Sequence, residues 1–157
     1  MRRYEFLTTW LIDAPRERVF DALHGAGDYP SWWRGVESVR ELEPGAADGT
    51  GSLARYTWKS RLPYRLEFEV RVTSVVRPHL LAGEATDDLA GDGTWRLYES
   101  AAGTAATFAW NARTMRPWMN VLAPVLRPAF TSNHHKVMRQ GAEGLAALLG
   151  ATLVAAG

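Results

Sequence analysis

Between Tyr64 and Thr73 the chain alternates without interruption: Tyr64, Leu66, Phe68, Val70 and Val72 are apolar, while Arg65, Glu67, Glu69, Arg71 and Thr73 are polar or charged. Side chains of a strand point to opposite faces in turn, so this pattern predicts an antiparallel strand with one wet and one dry face. A dry face must be covered by another element. The stretch Arg116 to Leu149 is the one segment long enough to cover a wide sheet, and it reads as one long helix. Pro124 and Pro128 each remove a helix hydrogen bond and crowd the preceding turn, so a kink or break is expected near them.

The remaining elements follow from period and punctuation. Tyr4, Phe6, Thr8, Trp10 and Ile12 share one face of a first strand, with Leu7 and Leu11 on the other, which leaves its inward face open. Asp13-Ala14-Pro15 starts a helix that carries Val19, Phe20 and Leu23 and ends near Gly25 and Gly27. A short helical turn follows over Asp28 to Trp32. Further strands are expected over Val36–Leu42, Leu53–Lys59, Tyr64–Val76, Pro78 to about Thr86, Thr94–Glu99 and Ala105–Arg113. Asp87 to Gly93 is expected as a turn, and Gly49-x-Gly51 as another. The pattern is therefore α+β: a seven-stranded curved antiparallel sheet wrapped around a long C-terminal helix, with two short helices between strands 1 and 2.

Composition narrows the function classes. The 157 residues suit a single domain (1–157). Lys plus Arg number 18 and Asp plus Glu 17, a near balance that offers nucleic acid no electrostatic footprint. The chain has no cysteine, which excludes disulfides and thiolate chemistry. No His-x-x-x-His, no paired-acid motif and no Gly-x-Ser-x-Gly elbow is present, so neither a metal site nor a serine hydrolase is expected. Arg2-Arg3 mimics an export signal, but Glu5 and Asp13 interrupt the apolar run it would need. Leu145 to Gly157 is uncharged yet shorter than the roughly 20 residues of a membrane span. A soluble cytoplasmic protein without stable membrane insertion, monomeric or homodimeric, is the expectation.

Several motifs then resemble the START-like superfamily with the Bet v 1-type helix-grip fold, in its bacterial polyketide cyclase/dehydrase and lipid-transport-like branch. They are Ile12-Asp13-Ala14-Pro15 with Val19-Phe20, Tyr29-Pro30-Ser31-Trp32-Trp33, Asp88 to Trp95, and Trp110-Asn111. Trp118-Met119-Asn120, Asn133-His134 and Met138 to Leu145 complete the set. The resemblance spans nearly the whole chain. It implies the helix-grip fold and a cavity for a hydrophobic ligand; no cofactor is expected. Such a fold hosts many chemistries and does not name the ligand.

The candidate residues follow from that frame. Tyr56, Trp58, Phe68, Trp95, Phe108, Trp110, Trp118 and Phe130 could line an apolar pocket of about 300–1,000 Å³ between sheet and helix, with Met138 as adaptable surface. Arg55 is a possible inward polar group. On the long helix, the stripe through Phe130 and Val137 turns Asn133 or His134 inward, and adjacent positions about 100° apart exclude His135 from the same site. Gly141 and Gly144 suggest close approach of the helix to a strand. Three functions remain in competition: a carrier of a lipid, polyketide or isoprenoid-like molecule; a polyketide aromatase/cyclase or dehydratase moving protons through His134 and Asn133, with Tyr56 and Arg55; and a protein-interaction module using Trp32-Trp33 as an exposed apolar patch.

Overall fold

The computed structural model describes residues 2–59 and 65–157. The start of the alternating segment at Tyr64, and the Leu62-Pro63 break before it, lie outside the described residues. The first strand, β1 (Arg2–Ile12), leads into α1 (Arg16–His24), a short 3-10 turn and α2 (Tyr29–Trp32). Strands β2 (Val36–Glu43), β3 (Leu53–Trp58), β4 (Leu66–Val76), β5 (Leu80–Asp87), β6 (Leu89–Ser100) and β7 (Gly103–Thr114) follow. Helices α3 (Pro117–Val121) and α4 (Ala123–Leu149) come next, and β8 (Leu153–Ala156) closes the chain.

Among the described residues the strands form one antiparallel sheet, ordered β2-β3-β4-β5-β6-β7-β1-β8. Hairpin neighbours pair in sequence from β2 to β7, and β1 then docks against β7. This is the expected helix-grip architecture with one strand more than the seven anticipated. The addition is β8. After α4 ends at Gly150, in the left-handed region at φ 61°, the chain turns back and pairs with β1. Its four residues cover the edge that β1 would otherwise present.

The dry faces are as the alternation requires. Tyr4, Thr8, Trp10 and Ile12 of β1 are buried, while Leu7 is 69% exposed, which settles the inward face. Leu66 and Phe68 of β4 are buried, and Arg71 and Thr73 are exposed. The expected parity fails at the far end of β4. A register shift between Val72 and Ser74 inserts an extra residue, so Val75 packs against the core and Val76 is exposed.

Two other boundaries differ from expectation. The segment from Leu89 to Gly93 belongs to β6, not to a turn; Gly91 pairs with Ala112 and Gly93 with Trp110. A Cβ on Gly91 would stand 1.8 Å from the Asn111 carbonyl oxygen, so glycine serves close strand approach there. The long helix breaks at Leu122, ahead of Pro124, which then sits in the first turn of α4 where no N–H bond is lost. Pro128 lies inside α4.

Helix α4 crosses the concave face, but its glycines meet a helix, not a strand. A Cβ on Gly141 would lie 2.5 Å from the Trp33 ring, and one on Gly144 would lie 1.8 Å from the Trp32 carbonyl oxygen. The absence of both side chains lets α2 sit directly on α4, where the Trp33 indole N–H donates to the Val137 carbonyl at 2.8 Å. Trp33 is buried and Trp32 half-buried, so this pair is packing and not an exposed patch. Among the described residues no helix is long and apolar enough to cross a membrane.

Candidate functional site: an aromatic hollow beside the terminal helix

The concave face of the sheet is filled along part of its length and hollow along the rest. In the filled part, Phe130 and His134 of α4 meet Tyr4, Phe6 and Trp110. The Phe130 ring lies 4.4 Å from Tyr4, and the His134 imidazole stacks 3.9 Å from Phe6 and 5.0 Å from Trp110. In the hollow part, a cavity of about 440 Å³ remains between β2–β7 and the α1–α2 segment. Its volume is in the usual range for a small-molecule site.

Aromatic rings build the cavity wall. Tyr29 and Trp33 of the α2 region face Tyr56 and Trp58 of β3, Phe68 of β4, Trp95 of β6, and Phe108 and Trp110 of β7. The Tyr56 and Phe68 rings are parallel to within 2° at 5.7 Å, and Trp95 stacks on Phe108 at 4.6 Å. The floor is smooth because Gly83 and Gly93 stand opposite each other on β5 and β6 and both line the space. A Cβ on Gly93 would come within 2.9 Å of the Phe108 ring, and one on Gly83 within 2.8 Å of a Val70 methyl. These strand glycines are part of what keeps the hollow open.

Polar groups are confined to a few places. The exposed wall residues, His24, Gly27, Glu41 and Pro44, all belong to the end of α1 or the β2–β3 region, which puts the mouth there. His24 Nε2 is 2.6 Å from the Asp48 carbonyl oxygen. A carbonyl only accepts, so Nε2 carries the proton and ties the two rims together. Inside, Tyr29 donates its hydroxyl to the Leu23 carbonyl. The Tyr56 hydroxyl makes no hydrogen bond among the described residues, and burial raises its pKa above the ordinary phenol range. It stays a neutral donor at any physiological pH. The described wall contains no Lys or Arg.

The residues singled out from sequence divide accordingly. Tyr56, Trp58, Phe68, Trp95, Phe108 and Trp110 line the cavity. Met138 and Phe130 are buried in the packed core beside it, and Trp118 is 44% exposed on α3. Arg55 points to the convex side, where it meets Glu67 at 3.1 Å, Glu69 at 3.4 Å and Asp87 at 2.9 Å. Strand parity explains this: Tyr56 takes the inward position, so its neighbour faces out.

Asn133 and His134 are both buried on the inner face of α4, as the helical stripe implies, yet neither lines the cavity. Among the described residues, no part of α4 does. Trp33 and Trp110 stand between helix and hollow. Neither ring nitrogen of His134 meets a hydrogen-bond partner among the described residues. Burial first, and then the neighbouring charge of His135, lowers its pKa to about 3. An imidazole so placed is neutral and packs as a flat ring.

Sequence reasoning missed the rim residues His24 and Glu41 and the wall residues Leu23, Val39, Leu81 and Ala85. The paired glycines at 83 and 93 were a usable signal, since glycine inside a strand marks close approach or missing bulk. Among the described residues, no group of three His, Asp or Glu side chains is placed to hold a metal ion.

Comparison with known proteins adds to this geometry. Residues 5–150 match the family described as polyketide cyclase / dehydrase and lipid transport. A search of curated proteins finds no match. Among solved structures, the chain is similar to the Zhui aromatase/cyclase from Streptomyces sp. R1128, at TM-score 0.74 and 16% identity, covering 95% of this chain and 93% of that one. It is also similar to TTHA0849 from Thermus thermophilus, at TM-score 0.71 and 15% identity, covering 93% and 97%. A START superfamily protein from Mycobacterium smegmatis gives TM-score 0.71 and 12% identity, covering 94% and 97%. At such identities the structural likeness speaks to fold alone, whereas the family match extends over most of the sequence. The chain belongs to the polyketide cyclase/dehydrase and lipid-transport family, and it shares the helix-grip fold of the solved structures it resembles.

Proposed function

We propose that the protein binds one neutral, ring-bearing hydrophobic molecule, a polyketide, isoprenoid or sterol-like lipid, in the hollow between β2–β7 and the α1–α2 segment. The observation that carries this reading is the wall itself: about 440 Å³ enclosed by eight aromatic rings, with glycines in the floor. Flat rings present large apolar faces with little rotamer freedom to lose, which suits a flat ligand better than a flexible chain. The described wall offers no cation to an anionic headgroup, and Glu41 at the rim would repel one. The Tyr56 hydroxyl supplies one inward donor, suited to a carbonyl or hydroxyl on the ligand.

The test is a titration with the neutral fluorophore N-phenylnaphthylamine, followed by displacement with neutral ring-bearing lipids and with free fatty acids. Saturation at one site, with displacement by the neutral set far ahead of the fatty acids, is the expected result. Absence of saturable binding would overturn the reading. Native mass spectrometry of protein purified from its own cells then identifies the occupant. If a reactive poly-β-ketone is cyclised in the same cavity, and Tyr56→Phe lowers that turnover, the site is an active site of the cyclase kind and not a carrier's.

A further inference from the structure

A second feature, away from the hollow, concerns the surface of α3 and the first turns of α4. Among the described residues, five of the eleven exposed large apolar side chains, Met115, Trp118, Val121, Leu122 and Val125, fall within eleven consecutive positions, so they form a patch while most of the others are scattered. Val121 and Val125 are 76% and 75% exposed. Trp118, Val121 and Leu122 are three and four positions apart in and at the end of α3, and Val125 follows in the first turn of α4.

Charge marks the same region. From residue 100 to residue 142 the chain holds five of its 18 cationic side chains and none of its 17 acidic ones, which leaves the rest of the chain at net −4. Two of the five are paired: Arg116 lies 2.5 Å from Asp88 and 3.4 Å from Asp87, and Arg139 lies 3.2 Å from Glu143. Others gather beside the patch. Arg127 lies 4.6 Å over the Tyr4 ring and donates to the Arg3 carbonyl at 3.1 Å, and Arg3 is the register partner of Arg113. Arg3, Arg113 and Arg127, from β1, β7 and α4, are thus brought together, with Arg113 two positions from Met115 and Arg127 two from Val125. Acidic residues come in next to them: Glu5 and Asp92 at the next pairing, opposite Asn111, Glu84 paired with Asp92, and Asp87 and Asp88 held by Arg116.

We propose that this face docks onto an anionic lipid bilayer, with the apolar stripe entering the interface and the arginines meeting lipid phosphates. Apolar side chains flanked by cations are the signature of a surface that lies in the headgroup region. A second copy of the chain fits less well, because a two-fold contact through this patch brings like charges together. The proposal goes beyond the cavity reading and does not depend on it.

The experiment is co-sedimentation of the whole protein with vesicles of phosphatidylcholine alone and with vesicles that also contain phosphatidylglycerol. Binding to the anionic vesicles, weakened by salt and about ten-fold weaker on the neutral ones, is expected. The double substitution Val121→Asp with Val125→Asp should weaken it by a similar factor, with an unchanged melting temperature because both positions face water. Should that variant fail to fold, Arg113→Gln provides the second test and should flatten the preference for anionic vesicles. Ala85→Trp, which fills the hollow, should leave vesicle binding intact. Failure to sediment with either vesicle would overturn the proposal. So would binding indifferent to these substitutions, or a dimer in light scattering that the double substitution disperses.

Discussion

The two halves of the concave face use the same residue types to opposite ends. Near the start of α4, Tyr4, Phe6, Trp110, Phe130 and His134 stack into a solid. Toward α1 and α2, Tyr56, Phe68, Trp95 and Phe108 stack just as closely on one another, yet enclose empty space. What differs is the opposing layer. In the solid half a helix side chain reaches each gap in the sheet. In the hollow half Trp33 stands against α4 and holds the helix away, while Gly83 and Gly93 remove bulk from the floor. Aromatic content alone therefore does not distinguish core from pocket; the distinction lies in what faces the rings.

The sharpest way to break this comparison is to truncate one ring in each half. Phe130→Ala should cost about 3–5 kcal/mol, because a new void opens in a packed region. Phe108→Ala should cost less, about 1–2 kcal/mol, since the lost atoms already bordered a hollow and their contacts were one-sided. Urea unfolding of both variants measures the gap. Equal costs would mean that the two halves are packed alike.

The next largest effect is electrostatic and belongs to the solid half. His134 titrates at about 3 in the folded protein and near 6.5 when unfolded. Below pH 6.5 the unfolded chain takes up a proton that the folded one refuses, so stability falls as pH falls from about 6.5 toward 3. Between pH 6.5 and 4.5 the loss is roughly 2 kcal/mol. Comparing the native protein with His134→Phe over that range isolates the contribution: the difference should slope with pH, and a flat difference would place the imidazole in contact with water or a partner.

Smaller still is the expected effect of Tyr56→Phe in the hollow half. One lost hydrogen bond should weaken binding of a carbonyl-bearing ligand by about 1–1.5 kcal/mol, seen by fluorescence titration, with the melting temperature nearly unchanged. A change in stability without a change in affinity would assign the hydroxyl to packing.

Much of the fold was legible because period-two alternation and one helical stretch long enough to span a sheet each admit one arrangement. The inward parity of β4 could be read at Phe68 and failed only beyond the bulge near Ser74, an insertion with no local signature. β8 escaped notice because four residues, Leu153–Ala156, are too few to show a period. The site was half legible. Six aromatic residues expected from the resemblance line the hollow, but His134 and Asn133 were placed by helix phase alone. Phase says which way a side chain points and not whether another ring, here Trp110, stands between it and the space. Leu23, Val39 and Leu81 reach the wall through long-range packing that no local pattern encodes.

The central claim is that the hollow is a binding site. Ala85 lies on β5 on the cavity wall, at the border with the packed cluster of Phe68 and Trp110, so Ala85→Trp places an indole in the space. Titrating the native protein and this variant with N-phenylnaphthylamine tests the claim directly. One saturable site in the native protein, lost in a folded variant of equal or higher melting temperature, is the predicted result. Undiminished binding to the folded Ala85→Trp protein would contradict it.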